Sequence, residues 1–219
     1  WNGLKLLRGD GVAPPPDQSQ QIIDCFQDGD ADHVGVDRLE PCGADDSAPQ
    51  VHRDVIVPHI DVEAIRRARL RVVVDNVHGA GAGDTVALLS HLGVELVHLH
   101  GEPTGRFPHN PEPTAQNLAA MCDEVPKHGA DAGFGLDPDA DRLAVLDERG
   151  TYIGEEYTLA LCAWHVLQAG DTVVANLSTS RMIDDIARRI GAVVERTPVG
   201  EANVADRMRR CKAVIGGEG

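Results

Sequence analysis

The feature that most constrains this sequence is an alternation of short aliphatic runs with helix-length segments, which begins near Asp61 and continues to the last residues. Asp61 reads as the N-cap of a helix over Val62–Ala68, because its carboxylate can accept from amides that have no partner inside the helix. The strand Arg71–Asp75 follows. Gly79–Gly83 opens a helix running to about Leu92, and Val94–Leu99 is the next strand. Thr114 then caps a helix reaching about His128. Ala132–Leu136 and Leu143–Asp147 are short strands flanking an acidic loop. Glu155–Gln168 reads as one longer helix, with Leu159, Cys162, Ala163 and Val166 at helical spacing. The pattern then repeats as strand Thr172–Ala175, helix Ser180–Ile190, strand Ala192–Glu195, helix Glu201–Cys211 and strand Ala213–Ile215, which enters a glycine loop. The expectation is α/β: consecutive homologous α/β domains, with mixed, mainly parallel sheets flanked by helices and functional loops at the strand carboxyl ends.

Composition supports that class and narrows the ligand. Aromatic residues make up 3% of the chain, so cores must be built from Val, Leu, Ile and Ala, which suits strands covered by helices. The formal net charge of −15 argues against nucleic-acid and anionic-membrane surfaces, which call for clustered Lys and Arg. A small anionic substrate remains compatible if it is held at a few local points. No apolar run approaches the roughly 18–20 residues of a membrane span. Ala13–Gln50 is rich in Pro, Asp and Gly, with one amphipathic helix over Asp17–Phe26, and Val55–Ile60 reads as a short strand or helix. Five widely spaced cysteines, Cys25, Cys42, Cys122, Cys162 and Cys211, without a CxxC pair fit reduced thiols and a cytoplasmic location.

The chemistry concentrates between the two strands around residues 132–147. Asp137, Asp139 and Asp141 stand at alternate positions in a sharp turn and can converge on one hard cation. Magnesium suits them, because it takes oxygen ligands and keeps positions open for a phosphate. A calcium EF-hand is excluded. Glu148 does fall at the twelfth position from Asp137, but Arg142 occupies the sixth, where a glycine is needed. Arg142 beside the carboxylates is useful where a phosphate must be held. A near copy, Asp28, Asp30 and Asp32 followed by His33, has no apolar strand before it and reads as a solvated loop.

Here a family resemblance becomes specific. GLDPDADRLAVLD, residues 135–147, resembles the metal loop of the α-D-phosphohexomutase superfamily: the phosphoglucomutases, phosphomannomutases and phosphoglucosamine mutases. Asn2–Lys5 resembles the segment after that family's phosphoserine loop. VVVDNVHGAGAG (72–83) resembles the start of its second domain, and FPHNPEPT (107–114) its mid-domain loop. Thr197–Gly200 and Gly216–Gly219 resemble two third-domain loops, the latter the start of the sugar-binding loop. The resemblance implies that residues 1–60 are the remainder of domain I, 61–169 the metal-binding domain II and 170–219 the first part of the sugar-binding domain III.

The resemblance further implies an intramolecular phosphotransferase that interconverts hexose 6-phosphate and hexose 1-phosphate. A phosphoserine would donate to the sugar, through a hexose 1,6-bisphosphate that serves as intermediate and activator. Asp137, Asp139 and Asp141 match the Mg2+ ligands, Arg142 the phosphate-contacting arginine, and Lys5 a lysine that assists proton transfer. Glu218, with Gly217, matches the loop that binds sugar hydroxyls, and Thr197 with Gly200 a loop shaping the sugar pocket. The phosphoserine would precede Trp1 and a fourth, phosphate-gripping domain would follow Gly219, so this stretch alone is expected to be inactive. His109, Asn110 and Pro111 imitate the sequence after the phosphoserine, but Phe107 and Pro108 supply no nucleophile. Ala140 replaces a commoner glycine, and Glu201 stands where some members place a histidine.

Two other classes fit less well. A dinucleotide-binding oxidoreductase is suggested by Val72–Asp75 before Gly79, Gly81 and Gly83, but the spacing is not GxGxxG and helix packing is the expected use of those glycines. A non-catalytic sugar-phosphate binding protein would keep the pocket without turnover. The substrate expected is a small hexose phosphate, with phosphoglucosamine mutase or phosphomannomutase the nearest branches.

Overall fold

The computed structural model describes residues 6–29, 33–41, 43 and 46–218. Two compact units emerge, one of residues 44–158 and one joining 1–43 to 159–219. Lys5, Cys42 and most of the Asp28–Asp32 motif lie outside the described residues.

The 44–158 unit opens with a helix at Ala48–Ile56 (α2), a 3₁₀ turn at Val57–His59 and a helix at Val62–Ala68 (α3). Asp61 caps α3 as the sequence predicts, its Oδ1 accepting from the Ala64 amide at 2.9 Å. The sheet that follows runs β1 (Arg71–Asp75), β2 (Glu95–Leu99), β3 (Ala132–Leu136) and β4 (Leu143–Leu146), in the order β2-β1-β3-β4. The first three strands are parallel and β4 pairs antiparallel to β3. Helices α4 (Ala82–His91) and α5 (Ala119–Lys127) are the crossovers. Val73, Leu118, Met121, Val125, Ala144 and Leu146 form an aliphatic core. The helix expected from Thr114 becomes regular only at Ala119. Residues 115–118 form turns, and Asn117 sends its amide to the Glu112 carbonyl at 2.8 Å, a local bond that competes with helical pairing.

The other unit repeats this plan with β5 (Thr172–Asn176), β6 (Val193–Thr197) and β7 (Ile215–Gly217), all parallel, in the order β6-β5-β7. Its helices are α1 (Pro16–Asp28), α6 (Glu156–Val166), α7 (Met182–Ile190) and α8 (Glu201–Cys211). From α6, Leu159 and Ala163 join Val173, Ala175, Ile183 and Ala187 in a second core, so the helix grouped by sequence with the preceding unit packs on the following sheet.

The last strand lies two residues later than expected, because Gly216 and Gly217 pair with Val174 and Ala175 inside the sheet. A Cβ on Gly216 would stand 2.6 Å from Met208 Sδ and 2.9 Å from the Val174 carbonyl. Close packing against α8 and β5 accounts for that glycine. Among the described residues no helix is long and apolar enough to cross a membrane.

Candidate active site

Sheet topology places the acidic residues. β3 runs parallel to β1 and stops at Leu136, so Asp137 emerges at the strand's carboxyl end, beside the loop that leaves β1 at Asp75. The chain then turns back into antiparallel β4, which forces Asp139 and Asp141 around the same point. One oxygen from each of Asp137, Asp139 and Asp141 lies within 4.8 Å of the others. The turn needs a left-handed residue, and Ala140 supplies it at φ 61°. A glycine adopts that conformation freely, whereas the alanine carries a strain cost of about 1–2 kcal/mol.

Asp137 is 5% exposed, and burial pushes its carboxyl above the usual carboxylate range. The Arg142 amide, donating to Oδ1 at 3.1 Å, opposes that shift, while the carboxyls of Asp139 and Asp141 add to it. Arg142 offers partial relief, its Nε standing 3.7 Å from Asp137 Oδ2. Its guanidinium is otherwise engaged by Glu112, whose ion pair raises the arginine further above its ordinary value. Three carboxylates held together, one of them buried, with hard oxygen donors and one partly exposed arginine, fit a divalent cation of the magnesium class.

The loop Asn76–Gly81 presses on this acidic turn. A Cβ on Gly79 would meet the Pro138 carbonyl oxygen at 2.5 Å, and one on Gly81 would meet the Ala140 Cβ at 2.6 Å. The Ala80 amide donates to the Pro138 carbonyl at 2.8 Å. Gly79 and Gly81 therefore serve the contact between the two loops, where the sequence suggested helix packing or a dinucleotide phosphate loop. Only Gly83 lies within α4, with nothing within 4 Å of its Cβ position.

In the other unit, the expected sugar-loop residues divide. Glu218 and Gly200 come together, the Gly200 amide donating to Glu218 Oε1 at 2.8 Å. Thr197 ends β6 buried, with its hydroxyl donating to the Pro198 carbonyl at 3.0 Å. Gly217 belongs to β7, its Cβ position 3.4 Å from Leu159 Cδ1. Sequence reasoning missed Arg196, which donates to the carbonyls of Asn176 and Thr179 at 2.8 and 2.9 Å, reaches that of Ser180 and pairs with Asp184. It ties the loop after β5 to β6. It also missed Asp75, 3% exposed, on which His100 and His109 converge. The histidines were visible in the sequence, but nothing in their spacing ties them to a carboxylate more than 20 residues upstream.

Two consecutive models of one family match the chain: Phosphoglucomutase/phosphomannomutase, alpha/beta/alpha domain II, over residues 50–150, and domain III over 154–219. A relative named "Probable phosphoglucosamine mutase" from Methanococcoides burtonii is 36% identical over 99% of this chain and 48% of its own length. A "Phosphoglucomutase/phosphomannomutase" from Thermococcus kodakarensis is also 36% identical, over 100% of this chain and 48% of its own. A crystal structure of a phosphoglucomutase/phosphomannomutase family protein from Burkholderia thailandensis superposes with a TM-score of 0.72 at 27% identity, covering 95% of this chain and 44% of that one. The chain thus spans about half the length of the curated relatives it matches. With both domain models in order, the βαβ units in the expected topology and the acidic loop at the carboxyl edge of its sheet, the chain belongs to the phosphoglucomutase/phosphomannomutase family of phosphohexomutases.

Proposed function

We propose that the protein containing this chain interconverts hexose 6-phosphate and hexose 1-phosphate, and that Asp137, Asp139 and Asp141 hold its magnesium. The observation that carries this reading is the convergence of those three carboxylates within 4.8 Å at a strand carboxyl end. Magnesium bound there supplies Lewis-acid stabilisation of charge on phosphoryl oxygens. Arg142 can exchange its exposed partner Glu112 for a phosphate, because an arginine fork matches phosphate geometry. Glu218, steadied by the Gly200 amide, accepts hydrogen bonds from sugar hydroxyls through its second oxygen. The names of the relatives favour glucosamine, mannose or glucose phosphates as substrates. Lys5 is assigned to proton transfer on the resemblance alone. The free thiols of Cys25, Cys122, Cys162 and Cys211 suit a reducing cytoplasm.

The test is phosphorus NMR of the full-length protein with each of the three hexose phosphates, magnesium and a catalytic amount of hexose 1,6-bisphosphate. Conversion that requires magnesium, and that falls by about 10²-fold or more in Asp139→Asn, is expected. Binding of all three sugars without conversion, or full turnover by the variant, overturns the reading.

A further inference from the structure

We propose a second metal site, separate from the acidic loop and suited to a transition metal of the zinc class, formed by Asp75, His100 and His109. All three stand at the carboxyl edge of the 44–158 sheet: Asp75 ends β1, His100 follows β2, and His109 comes from the long loop beyond it. His100 Nδ1 lies 3.0 Å from both carboxylate oxygens of Asp75, and His109 Nε2 lies 3.1 Å from Oδ2. One donor atom from each falls within 4.8 Å of the others. Two ligands bound tetrahedrally at zinc distances are about 3.3 Å apart, so these separations are close to the edges of a metal polyhedron. Side-chain exposures of 4%, 32% and 23% for Asp75, His100 and His109 leave one side open for entry and for a water ligand.

The hydrogen bonds of the rings point the same way. His109 Nδ1 lies 2.8 Å from the Asn110 carbonyl, which can only accept, so Nδ1 carries the hydrogen. Nε2 then faces a carboxylate oxygen at 3.1 Å, a separation that a second ring proton bridges as a hydrogen bond and that a bound cation can equally bridge with both atoms as ligands. A backbone carbonyl on the far ring nitrogen is the usual means of orienting a metal-binding histidine. His78 repeats the arrangement, with Nδ1 2.8 Å from the Glu102 carbonyl and its ring 5.3 Å from that of His100.

Backbone strain marks the same place. Val77, His78 and His100 all have positive φ, at 47°, 56° and 45°, and Val77 is β-branched and fully buried. Such conformations persist where surrounding structure fixes them. The donor set differs in kind from the acidic loop: two imidazoles with one carboxylate favour zinc, whereas three carboxylates favour magnesium.

Zinc is titrated into the metal-stripped full-length protein in excess magnesium, and bound zinc is counted after dialysis. One zinc per chain is expected, unchanged in Asp139→Asn and weakened at least ~100-fold in His100→Ala and in His109→Gln, whose side-chain amide can still donate to Asp75. X-ray absorption at the zinc edge of the wild-type protein should show imidazole scattering, a readout that does not depend on any variant folding. No retained zinc, a shell of oxygens only, or loss of zinc in Asp139→Asn with retention in His109→Gln overturns the proposal. Failure of the zinc site leaves the mutase reading intact, because that reading is tested by magnesium-dependent turnover.

Discussion

Replacing Gly79 with alanine tests whether the loop after β1 is fitted to the acidic turn. The new methyl would lie 2.5 Å from the Pro138 carbonyl oxygen, 2.9 Å from Pro138 Cα and 3.0 Å from the Asn76 carbonyl, so only backbone can yield. Reaching an ordinary 3.4 Å contact requires an opening of about 0.9 Å. That movement strains the Ala80 to Pro138 bond of 2.8 Å and the Gly79 to Asn76 bond of 2.6 Å. Overpacking costs about 1–3 kcal/mol and one weakened hydrogen bond about 1 kcal/mol, so a loss of about 2–4 kcal/mol is expected. In thermal unfolding of a chain of this size this lowers Tm by roughly 4–16 °C. Gly83→Ala, four residues on in the same glycine run, supplies the opposite sign. Nothing stands within 4 Å of its Cβ, and a helical glycine replaced by alanine gains up to about 1 kcal/mol. Displacing the turn that carries Asp139 should also weaken magnesium binding in Gly79→Ala. Equal stability of Gly79→Ala and wild type, or equal destabilisation by both substitutions, would show that the loop after β1 is not fitted to the acidic turn.

Two further predictions concern single side chains. Asp147 accepts from Arg149, from the Thr151 amide at 2.8 Å and from the Arg149 amide at 3.0 Å, and these bonds, led by the arginine, hold its carboxyl down at about 2. A depressed carboxylate stabilises the fold above its unfolded value of about 3.9, and that contribution is lost as pH falls towards 2. Denaturant titrations should show Asp147→Asn less stable than wild type at neutral pH and converging with it near pH 2; parallel profiles would refute the assignment. Arg196→Ala should cost about 2–3 kcal/mol in denaturant unfolding and speed hydrogen exchange at the Ser178 and Thr179 amides, since three carbonyls lose a charged donor. Arg196→Lys should recover only part, because an ammonium cannot span the fork; full rescue by lysine would contradict that geometry.

The strands were legible because their patterning is local. Arg71–Asp75 and Ala132–Leu136 match the structure end to end, and Asp61 caps the helix that its position announces. The acidic turn was also legible, since its three carboxylates are close in sequence. What sequence hid depends on contacts between distant segments. The use of Gly79 and Gly81 is set by residues 138 and 140, and nothing local distinguishes them from Gly83. Gly216 looked like loop because glycine lacks strand propensity, yet Met208 across α8 requires it. His100 and His109 are joined to Asp75 only by the parallel crossover that sets β2 against β1 and by the loop that folds back over it.

The metal-binding role of the acidic loop is tested most directly by a manganese titration of the full-length protein, followed by the loss of the free-ion electron paramagnetic resonance signal and competed with magnesium. One magnesium-displaceable ion per chain is the result expected from Asp137, Asp139 and Asp141, weakened at least ~10-fold in Asp139→Asn and unaltered in His109→Gln. Undiminished binding in Asp139→Asn would contradict the assignment of the acidic loop as the metal centre.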